Sequence, residues 1–318
     1  MTAIVDKPTA PPPPAEKPAL LRKPRRVGFR ERLAPYTYIA PFFLIFLAFG
    51  AGPLIYTGWV SLHDWAPLET EHDFIGLDNY SAMLQDPRFW KAIGNTFSIF
   101  LLSTIPGIIL SLIIASVLNN RGLRAKTFWR MALLVPNITP LVTVSIVFSS
   151  LFSRDYGPIA WILQVFNLPP IAWDADPFTT QLVIAIMVIW RWTGFNSLIM
   201  LAAMQAVPAS LYESAEIDGA GRFRTFFSVT LPLIRPTILF SVVTSTVGGM
   251  QIFTEALLFT DAMGGNQGQG LTMTLLVYGQ AFNSFHFGYA SAIAIALLFI
   301  VLVIAGLNFL LARLIRSA

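Results

Sequence analysis

Long apolar runs, separated by short polar segments, dominate the pattern of this 318-residue chain. A helix that crosses a bilayer needs about 20 mainly apolar residues, and six stretches have that length and character. They are residues 39–62, 97–118, 131–152, 181–206, 236–253 and 290–311. Only one charged residue, Arg191, lies within them. The pattern predicts an all-α, polytopic membrane protein with six transmembrane helices.

The composition supports a membrane protein and excludes other classes. Hydrophobic residues make up 55% of the chain and charged residues 12%, with a mean hydropathy of +0.65, whereas a soluble domain carries about 25% charged residues. The chain has no cysteine, which excludes disulfides and thiolate metal sites. Its three histidines, His63, His72 and His286, are scattered along the sequence, so we expect no metal site.

The first 37 residues differ from the rest of the chain. Prolines crowd residues 8–14, and basic residues crowd residues 22–32. Such a segment cannot bury enough apolar surface to fold alone. We therefore expect a disordered cytoplasmic tail over residues 1–37 and a six-span domain over residues 38–318.

Lysine and arginine are distributed unevenly between the two sides of the predicted membrane domain. If the N-terminus is cytoplasmic, 17 of the 21 basic residues fall in inner segments, and only Arg88, Lys91 and Arg154 fall in outer ones. Because loops rich in Lys and Arg stay on the cytoplasmic side, both termini are predicted to be cytoplasmic. The net charge of +4 is then a consequence of topology, and no nucleic-acid partner is expected.

The inner loop at residues 207–235 is the most informative connecting segment. Pro208 suits a first helical position, and Gly219 and Gly221 supply a stop, so the sequence predicts a helix of about ten residues between them. A second short helix is predicted to begin at Arg222 and to end at Leu231-Pro232.

The first of these loop helices is amphipathic and acidic. Its apolar residues are Leu211, Ala215 and Ile217, and its acidic residues are Glu213, Glu216 and Asp218. A helix that lies on a lipid surface is normally basic. The acidic character therefore favours a protein partner on the cytoplasmic side.

This loop resembles the cytoplasmic EAA signature of binding-protein-dependent ABC importer permeases. The resemblance is carried by Glu213-Ser214-Ala215, by Gly219 four residues later, and by Val229-Thr230-Leu231-Pro232. The departures are mild, with Ser214 in place of Ala and Val229 in place of Ile. The flanking Leu211-Tyr212 and Asp218-Gly219-Ala220 are similar to the carbohydrate-uptake branch, which includes the maltose and glycerol-3-phosphate systems.

The likeness extends over most of the chain and implies a transport subunit in the bacterial inner membrane. The other matching segments are Trp192-Thr193-Gly194 in the fourth span and Phe287-Gly288-Tyr289-Ala290 before the sixth. The resemblance implies a heterodimer with a second, homologous permease, in which this chain forms half of the translocation pathway. A dimer of ATP-binding cassette ATPases would lie inside, and an extracytoplasmic binding protein would deliver the solute.

The resemblance assigns the loop a role in coupling to the ATPase. The residues that it places there are Glu213, Ser214, Ala215, Asp218, Gly219, Leu231 and Pro232. ATP and Mg²⁺ would be bound by the partner, because no phosphate-binding loop with its lysine occurs in this sequence. The chain itself is therefore expected to bind no cofactor and to be no enzyme.

Polar residues inside a membrane domain usually face a water-filled path or the interior of the bundle. The candidate path residues are Asn137, Trp192, Gly194, Ser197, Thr244, Gly248 and Gln251. Thr244, Gly248, Gln251 and Glu255 have the spacing i, i+4, i+7 and i+11, which is one face of a helix. Small and polar residues also serve in packing helix against helix, and the sequence leaves both roles open.

The resemblance adds a role to several of these positions. Those that match Thr244, Gly248 and Gln251 line the sugar site of the maltose permease, and those that match Gly194 and Ser197 are lining positions in the family. Trp192 offers an aromatic face of the kind that stacks on sugar rings.

Two features of the spans have alternative explanations. Pro136 and Pro140 are predicted to kink the third span, and Asn137 between them either satisfies the freed carbonyls or faces the path. No acid lies within the spans, so we predict that Arg191 pairs with an acid of the second permease. An anionic group of the substrate, or carbonyls at the centre of the bundle, are the alternative partners.

An oligosaccharide is the favoured solute, with glycerol phosphate or another polyol as the alternative. An ion-coupled secondary transporter would need intramembrane Asp or Glu and usually internal repeats, and a membrane enzyme would need clustered His, Asp or Glu. Neither pattern is found in the sequence.

Overall fold

The computed structural model describes residues 29–67, 72–120 and 122–317, which form fifteen α-helices. Within this part of the chain, β-pairing is limited to one isolated bridge, between His63 and Phe74. The helices are α1 (Phe29–Phe46), α2 (Gly52–Val60), α3 (Asp78–Gln85), α4 (Pro87–Asn119), α5 (Lys126–Ile138), α6 (Leu141–Leu151), α7 (Pro158–Val165), α8 (Pro177–Gln205), α9 (Ala209–Ile217), α10 (Arg222–Thr225), α11 (Leu231–Leu233), α12 (Arg235–Gly249), α13 (Thr254–Phe259), α14 (Met273–Tyr278) and α15 (Phe287–Ser317).

The chain divides into two compact units, Met1–Pro53 and Leu54–Ala318. In the described part of the first unit, α1 is followed by a π-helical segment, Leu47–Ala51. Residues 1–28 of the predicted tail lie outside the described residues. Helix α1 begins at Phe29, so the last nine residues of that predicted tail are helical.

The described residues contain four straight apolar spans, and six if each of two bent helix pairs is counted as one span. Four helical segments are long and apolar enough to cross a membrane, namely Tyr36–Val60, Pro87–Asn119, Pro177–Gln205 and Phe287–Leu310. The third predicted span is the pair α5 and α6, bent by 93°, and the fifth is α12, bent by 69° from the helical segment Arg222–Leu233 that precedes it. The prediction of an all-α, six-span membrane protein is confirmed.

The bend between α5 and α6 lies where the two prolines predict a kink. Pro140 disfavours the helical conformation at the residue before it, and Thr139 has an extended backbone with ψ 133°. The hydroxyl of Thr139 donates to the carbonyl of Val135 at 2.7 Å, next to the break. The N–H of Thr139 also donates to this carbonyl, at 3.1 Å, so the regular hydrogen bonding of α5 continues up to the break.

Helices α4 and α8 pack along their length and form the centre of the second unit. The hydroxyl of Ser111 on α4 donates to the Gly107 carbonyl of the same helix at 2.7 Å and to the Thr193 carbonyl of α8 at 3.1 Å. Buried side chains from α4, α8, α14 and α15 then build the largest apolar cluster, which includes Ile99, Ile184, Leu275 and Ile293. Small polar residues such as Ser111 allow two helices to approach closely in lipid.

A second close contact fixes α5 against α8. A Cβ atom at Gly194 would lie 1.9 Å from the Leu133 carbonyl oxygen. No side chain fits there, because the neighbouring atoms belong to backbone. Gly194 therefore sets the separation of these two helices.

The segment between α2 and α4 forms a cap that is held to the start of α15. The Asn79 amide donates to the carbonyls of Ser61 and His63 at 2.9 and 3.0 Å. Asp86 caps the N-terminus of α4 by accepting from the Arg88 N–H, and it accepts from the Tyr289 hydroxyl at 2.9 Å. Burial raises the pKa of Asp86, but the hydrogen bonds from Arg88 and Tyr289 outweigh this effect and hold that pKa below its usual value.

We expect the substitution Gly194→Ala to destabilise the protein by about 1–3 kcal/mol, the usual cost of an overpacked site. The added methyl group must push α5 away from α8, since backbone atoms occupy its place. Gly94→Ala is a matched control on α4, because a Cβ atom there meets nothing within 4 Å. Thermal unfolding in detergent measures both, and equal stability of the two variants would contradict the assigned packing.

Candidate functional site

A cavity of about 620 Å³ lies between α4, α8 and the end of α12. Its size is within the range of small-molecule sites, about 300–1,000 Å³. Polar side chains line it on all three sides, among them Ser103 and Thr104 of α4, Asn196 of α8, and Thr244 and Ser245 of α12. Trp192, Phe195 and Phe253 add aromatic surface. The wall therefore combines hydrogen-bonding groups with aromatic faces.

Arg191 and Glu255 form an ion pair at this cavity. Arg191 lies near the middle of α8, and its Nη1 donates to Oε1 of Glu255 on α13 at 3.0 Å. The side chains are 22% and 8% exposed, so the pair is largely shielded from solvent. The prediction that Arg191 needs an acid of the second permease is wrong, because the partner is in the same chain.

Glu255 reaches Arg191 because α12 ends before Glu255. Helix α12 stops at Gly249, and α13 begins only at Thr254. The idea that Thr244, Gly248, Gln251 and Glu255 share one continuous helical face is therefore wrong. The break turns the chain so that all four still line the cavity.

The seven candidate path residues fall into two groups. Four of them line the cavity, namely Trp192, Thr244, Gly248 and Gln251. A Cβ atom at Gly248 would meet nothing within 4 Å, so this position keeps the cavity open.

The other three candidates lie outside the residues that line the cavity. Gly194 packs on the backbone of Leu133. Ser197 is buried on α8 and donates to the Thr193 carbonyl at 2.6 Å. Asn137 is half-buried near the end of α5.

Sequence reasoning missed part of the cavity wall. Asn196 was not selected, although its side chain lines the cavity beside Trp192. Thr193 is buried, and its Oγ1 has no hydrogen-bond partner among the described residues. Asn196 follows from the helical period of α8 once Trp192 is known to face the cavity, since it lies four residues from it. Thr193 is the next residue after Trp192, so the period does not predict its position.

Helix α9 has the bounds that the inner loop predicts. Its C-terminal end carries a Schellman motif, in which the N–H of Ala220 donates to the Ala215 carbonyl at 2.9 Å and the N–H of Gly219 donates to the Glu216 carbonyl at 3.0 Å. Gly219 has φ +71°, a left-handed conformation that glycine adopts without strain. The glycine of the signature is therefore the residue that ends the helix.

The loop helix has one buried and one exposed face. Ala215 is buried, and the Tyr212 hydroxyl lies 3.2 Å from the Thr230 hydroxyl of the following helical segment. Glu213 and Ile217 lie four residues apart on the opposite face, and Ile217 is 86% exposed. An apolar side chain presented in this way is typical of a surface that contacts another molecule.

The remaining predicted loop residues are exposed or partly exposed. Ser214, Asp218 and Pro232 are exposed, and Leu231 is half-buried. The second loop helix begins at Arg222, as predicted, and runs through a π-helical segment, Phe226–Thr230, to Leu233.

No group of three His, Cys, Asp or Glu side chains that could hold a metal ion is found in the described part of the chain. The charged groups at the cavity, Arg191 and Glu255, are already paired with each other. The polar and aromatic side chains of the wall give the cavity the chemistry for binding a polar organic molecule.

Comparison with known proteins identifies the family. Residues 107–317 match the family described as binding-protein-dependent transport system inner membrane component. The lactose transport system permease protein LacF of Rhizobium radiobacter is 34% identical over 281 residues, covering 87% of this chain and 93% of LacF. The trehalose/maltose transport system permease protein MalF of Thermococcus litoralis is 32% identical over 277 residues, covering 87% and 92% of the two chains.

A solved structure has the same fold. A chain of a bacterial ABC transporter involved in the import of the acidic polysaccharide alginate superposes with a TM-score of 0.76 and 22% identity, over 89% of this chain and 96% of that chain. The family predicted from the loop signature is confirmed. The chain belongs to the inner membrane components of binding-protein-dependent transport systems.

Proposed function

We propose that this protein forms half of the translocation pathway of an ATP-driven sugar importer. The observation that carries the proposal is the cavity of about 620 Å³, in which Trp192 lies beside the polar side chains of Thr244 and Gln251. Sugars present hydroxyl groups at their edges and apolar C–H faces, which this combination can bind. The names of LacF and of MalF, which refer to lactose and to trehalose and maltose, support the same substrate class.

The partners follow from the same proposal. A second, homologous permease would complete the pathway, an extracytoplasmic binding protein would deliver the sugar, and a dimer of ATPase subunits would bind ATP and Mg²⁺. Both termini and α9 would lie on the cytoplasmic side, as the distribution of Lys and Arg favours. An oligosaccharide is the preferred solute.

The exposed face of α9 would dock on the ATPase. Two properties support this role, namely the exposed apolar side chain of Ile217 and the acidic Glu213 beside it. The Schellman motif at Gly219 keeps the helix end rigid, and the contact between Tyr212 and Thr230 joins α9 to the helical segment before α12. Movement of the ATPase could then be transmitted through that segment to the helix that lines the cavity.

The proposal as a whole predicts ATP-dependent uptake of a sugar. The complete assembly, with both permeases, ATPase and binding protein, would be reconstituted in proteoliposomes with lactose, maltose or trehalose as the solute. We expect uptake of at least one of them, dependent on ATP and on the binding protein. Uptake driven by an ion gradient without ATP, or uptake of none of the three, would contradict the proposal.

The coupling role predicts different outcomes for two substitutions at one position. Gly219→Val places a β-branched residue at φ +71°, which strains the end of α9, whereas Asn adopts this conformation more readily. We expect Gly219→Val to abolish most of the ATP hydrolysis that the loaded binding protein stimulates, and Gly219→Asn to retain most of it. Equal rates in the two variants would show that the geometry of the helix end is irrelevant to coupling.

The docking surface of α9 can be tested without disturbing its fold. Ile217→Glu keeps a helix-compatible residue at an exposed position but removes the apolar contact. We expect this variant to lose ATPase subunits during purification, whereas Glu216→Gln on the same helix retains them. Full retention of the ATPase by the Ile217→Glu assembly would contradict docking through this face.

If the cavity binds the sugar, removing polar groups from its wall should lower the apparent affinity for the sugar. Thr244→Ala combined with Gln251→Ala removes two hydrogen-bonding groups, each worth about 0.5–1.5 kcal/mol. We therefore expect the half-saturating sugar concentration for uptake to rise roughly tenfold. Thr237→Ala combined with Gln205→Ala makes the same chemical change outside the cavity and serves as the control. A curve unchanged in the first double variant would assign Thr244 and Gln251 to helix packing.

A further inference from the structure

The charge of the cavity wall is balanced internally. Among the described residues that line the cavity, the charged ones are Arg191 and Glu255, and their side chains meet at 3.0 Å. An unpaired arginine here would attract an anion, and an unpaired glutamate would repel one. The pair presents both a cation and an anion to a ligand, with no net charge.

The guanidinium of Arg191 has five N–H donors, and its ion pair with Glu255 uses one nitrogen, Nη1. Its Nε and the Oγ1 of Thr193 two residues later are both buried and have no hydrogen-bond partner among the described residues. The guanidinium carbon of Arg191 also lies 5.3 Å from the centroid of the Trp192 ring, a distance typical of cation–π contacts. The position of the arginine is thus fixed from two sides, by Glu255 and by Trp192.

A hydroxyl group suits this arrangement better than an anion does. A hydroxyl both donates and accepts hydrogen bonds, so adjacent hydroxyls of a sugar can accept from the guanidinium and donate to the carboxylate. A carboxylate, sulfonate or phosphate can use only the guanidinium, and it would have to approach the negative charge of Glu255. Like charges that share a site at short distance are unfavourable.

We propose that the cavity selects neutral, hydroxyl-rich saccharides and discriminates against acidic ones, with Arg191 and Glu255 as the residues that determine this specificity. The proposal rests on the proposed function as a sugar importer and narrows its substrate class. The family alone does not decide whether the substrate is neutral or acidic. The relatives named above are lactose and trehalose/maltose systems, whereas the similar solved structure is of a transporter that imports an acidic polysaccharide.

The test compares neutral and acidic forms of the same sugar. Lactose, maltose and trehalose would each be paired with the form in which a C6 hydroxymethyl group is oxidised to a carboxylate. Equilibrium binding would be measured by calorimetry on the purified permease–ATPase assembly. The binding protein is left out so that its own selectivity does not enter. For the wild type, we expect the neutral sugar of each pair to bind at least about tenfold more tightly than the corresponding acid.

Removing the carboxylate should reverse this preference. In E255Q the guanidinium is unpaired, and a charge-assisted hydrogen bond to the acidic sugar should shift the ratio of affinities toward the acid by roughly 10- to 100-fold. The double variant R191Q/E255Q has neither the cation nor the anion at the cavity, so we expect its ratio of affinities to lie between those of the wild type and E255Q. A purely structural ion pair would lower both affinities together and leave their ratio unchanged.

Several results would overturn the inference. Tighter binding of the acid by the wild type would do so without any variant, so the test does not depend on the stability of E255Q. An unchanged ratio in E255Q would also overturn it, while leaving sugar import intact. If the assembly binds none of the six compounds, the proposed sugar function itself fails, and this inference fails with it.

Discussion

A chain surrounded by hydrocarbon must satisfy its backbone N–H and C=O groups within the protein, so a transmembrane helix can break only where other groups replace the lost hydrogen bonds. This protein breaks an apolar span at Pro140 and another beyond α12, and at the second break it supplies such groups. Before Pro140, the N–H and the hydroxyl of Thr139 both donate to the Val135 carbonyl, at 3.1 and 2.7 Å, so the last helical hydrogen bond of α5 is kept. Beyond α12, the hydroxyls of Thr272 and Thr274 donate to the Ile252 carbonyl at 2.8 and 2.6 Å.

The break beyond α12 shapes the cavity of the second unit. It ends α12 at Gly249 and directs the following residues toward α8, which brings Glu255 to Arg191. A charge near the middle of an apolar helix is costly unless it is paired, and here the partner is provided by the same irregular segment that completes the cavity wall. On the other side of α12, a 69° bend joins it to the loop that contains α9. The cavity and the loop therefore lie at the two ends of α12.

The sequence predicts local features well and distant contacts poorly. The six spans, the kink at the prolines and the bounds of α9 follow from composition, Pro140, Pro208 and Gly219, each of which acts on its immediate neighbours. The ion pair joins residues 64 positions apart, and Glu255 lies beyond the end of its span, so no periodicity reveals it. The packing of Gly194 against Leu133 likewise depends on how two separate helices meet.

We propose that α9 lies on the cytoplasmic side of the membrane and contacts an ATP-hydrolysing partner, while α12 lines the path of the sugar. The chain has no cysteine, so a single cysteine introduced as Ser214→Cys can be labelled alone by a membrane-impermeant maleimide. We expect labelling in inverted membrane vesicles, none in right-side-out vesicles, and protection when the ATPase is bound. Labelling from the outer side, or labelling that the ATPase does not affect, would contradict it.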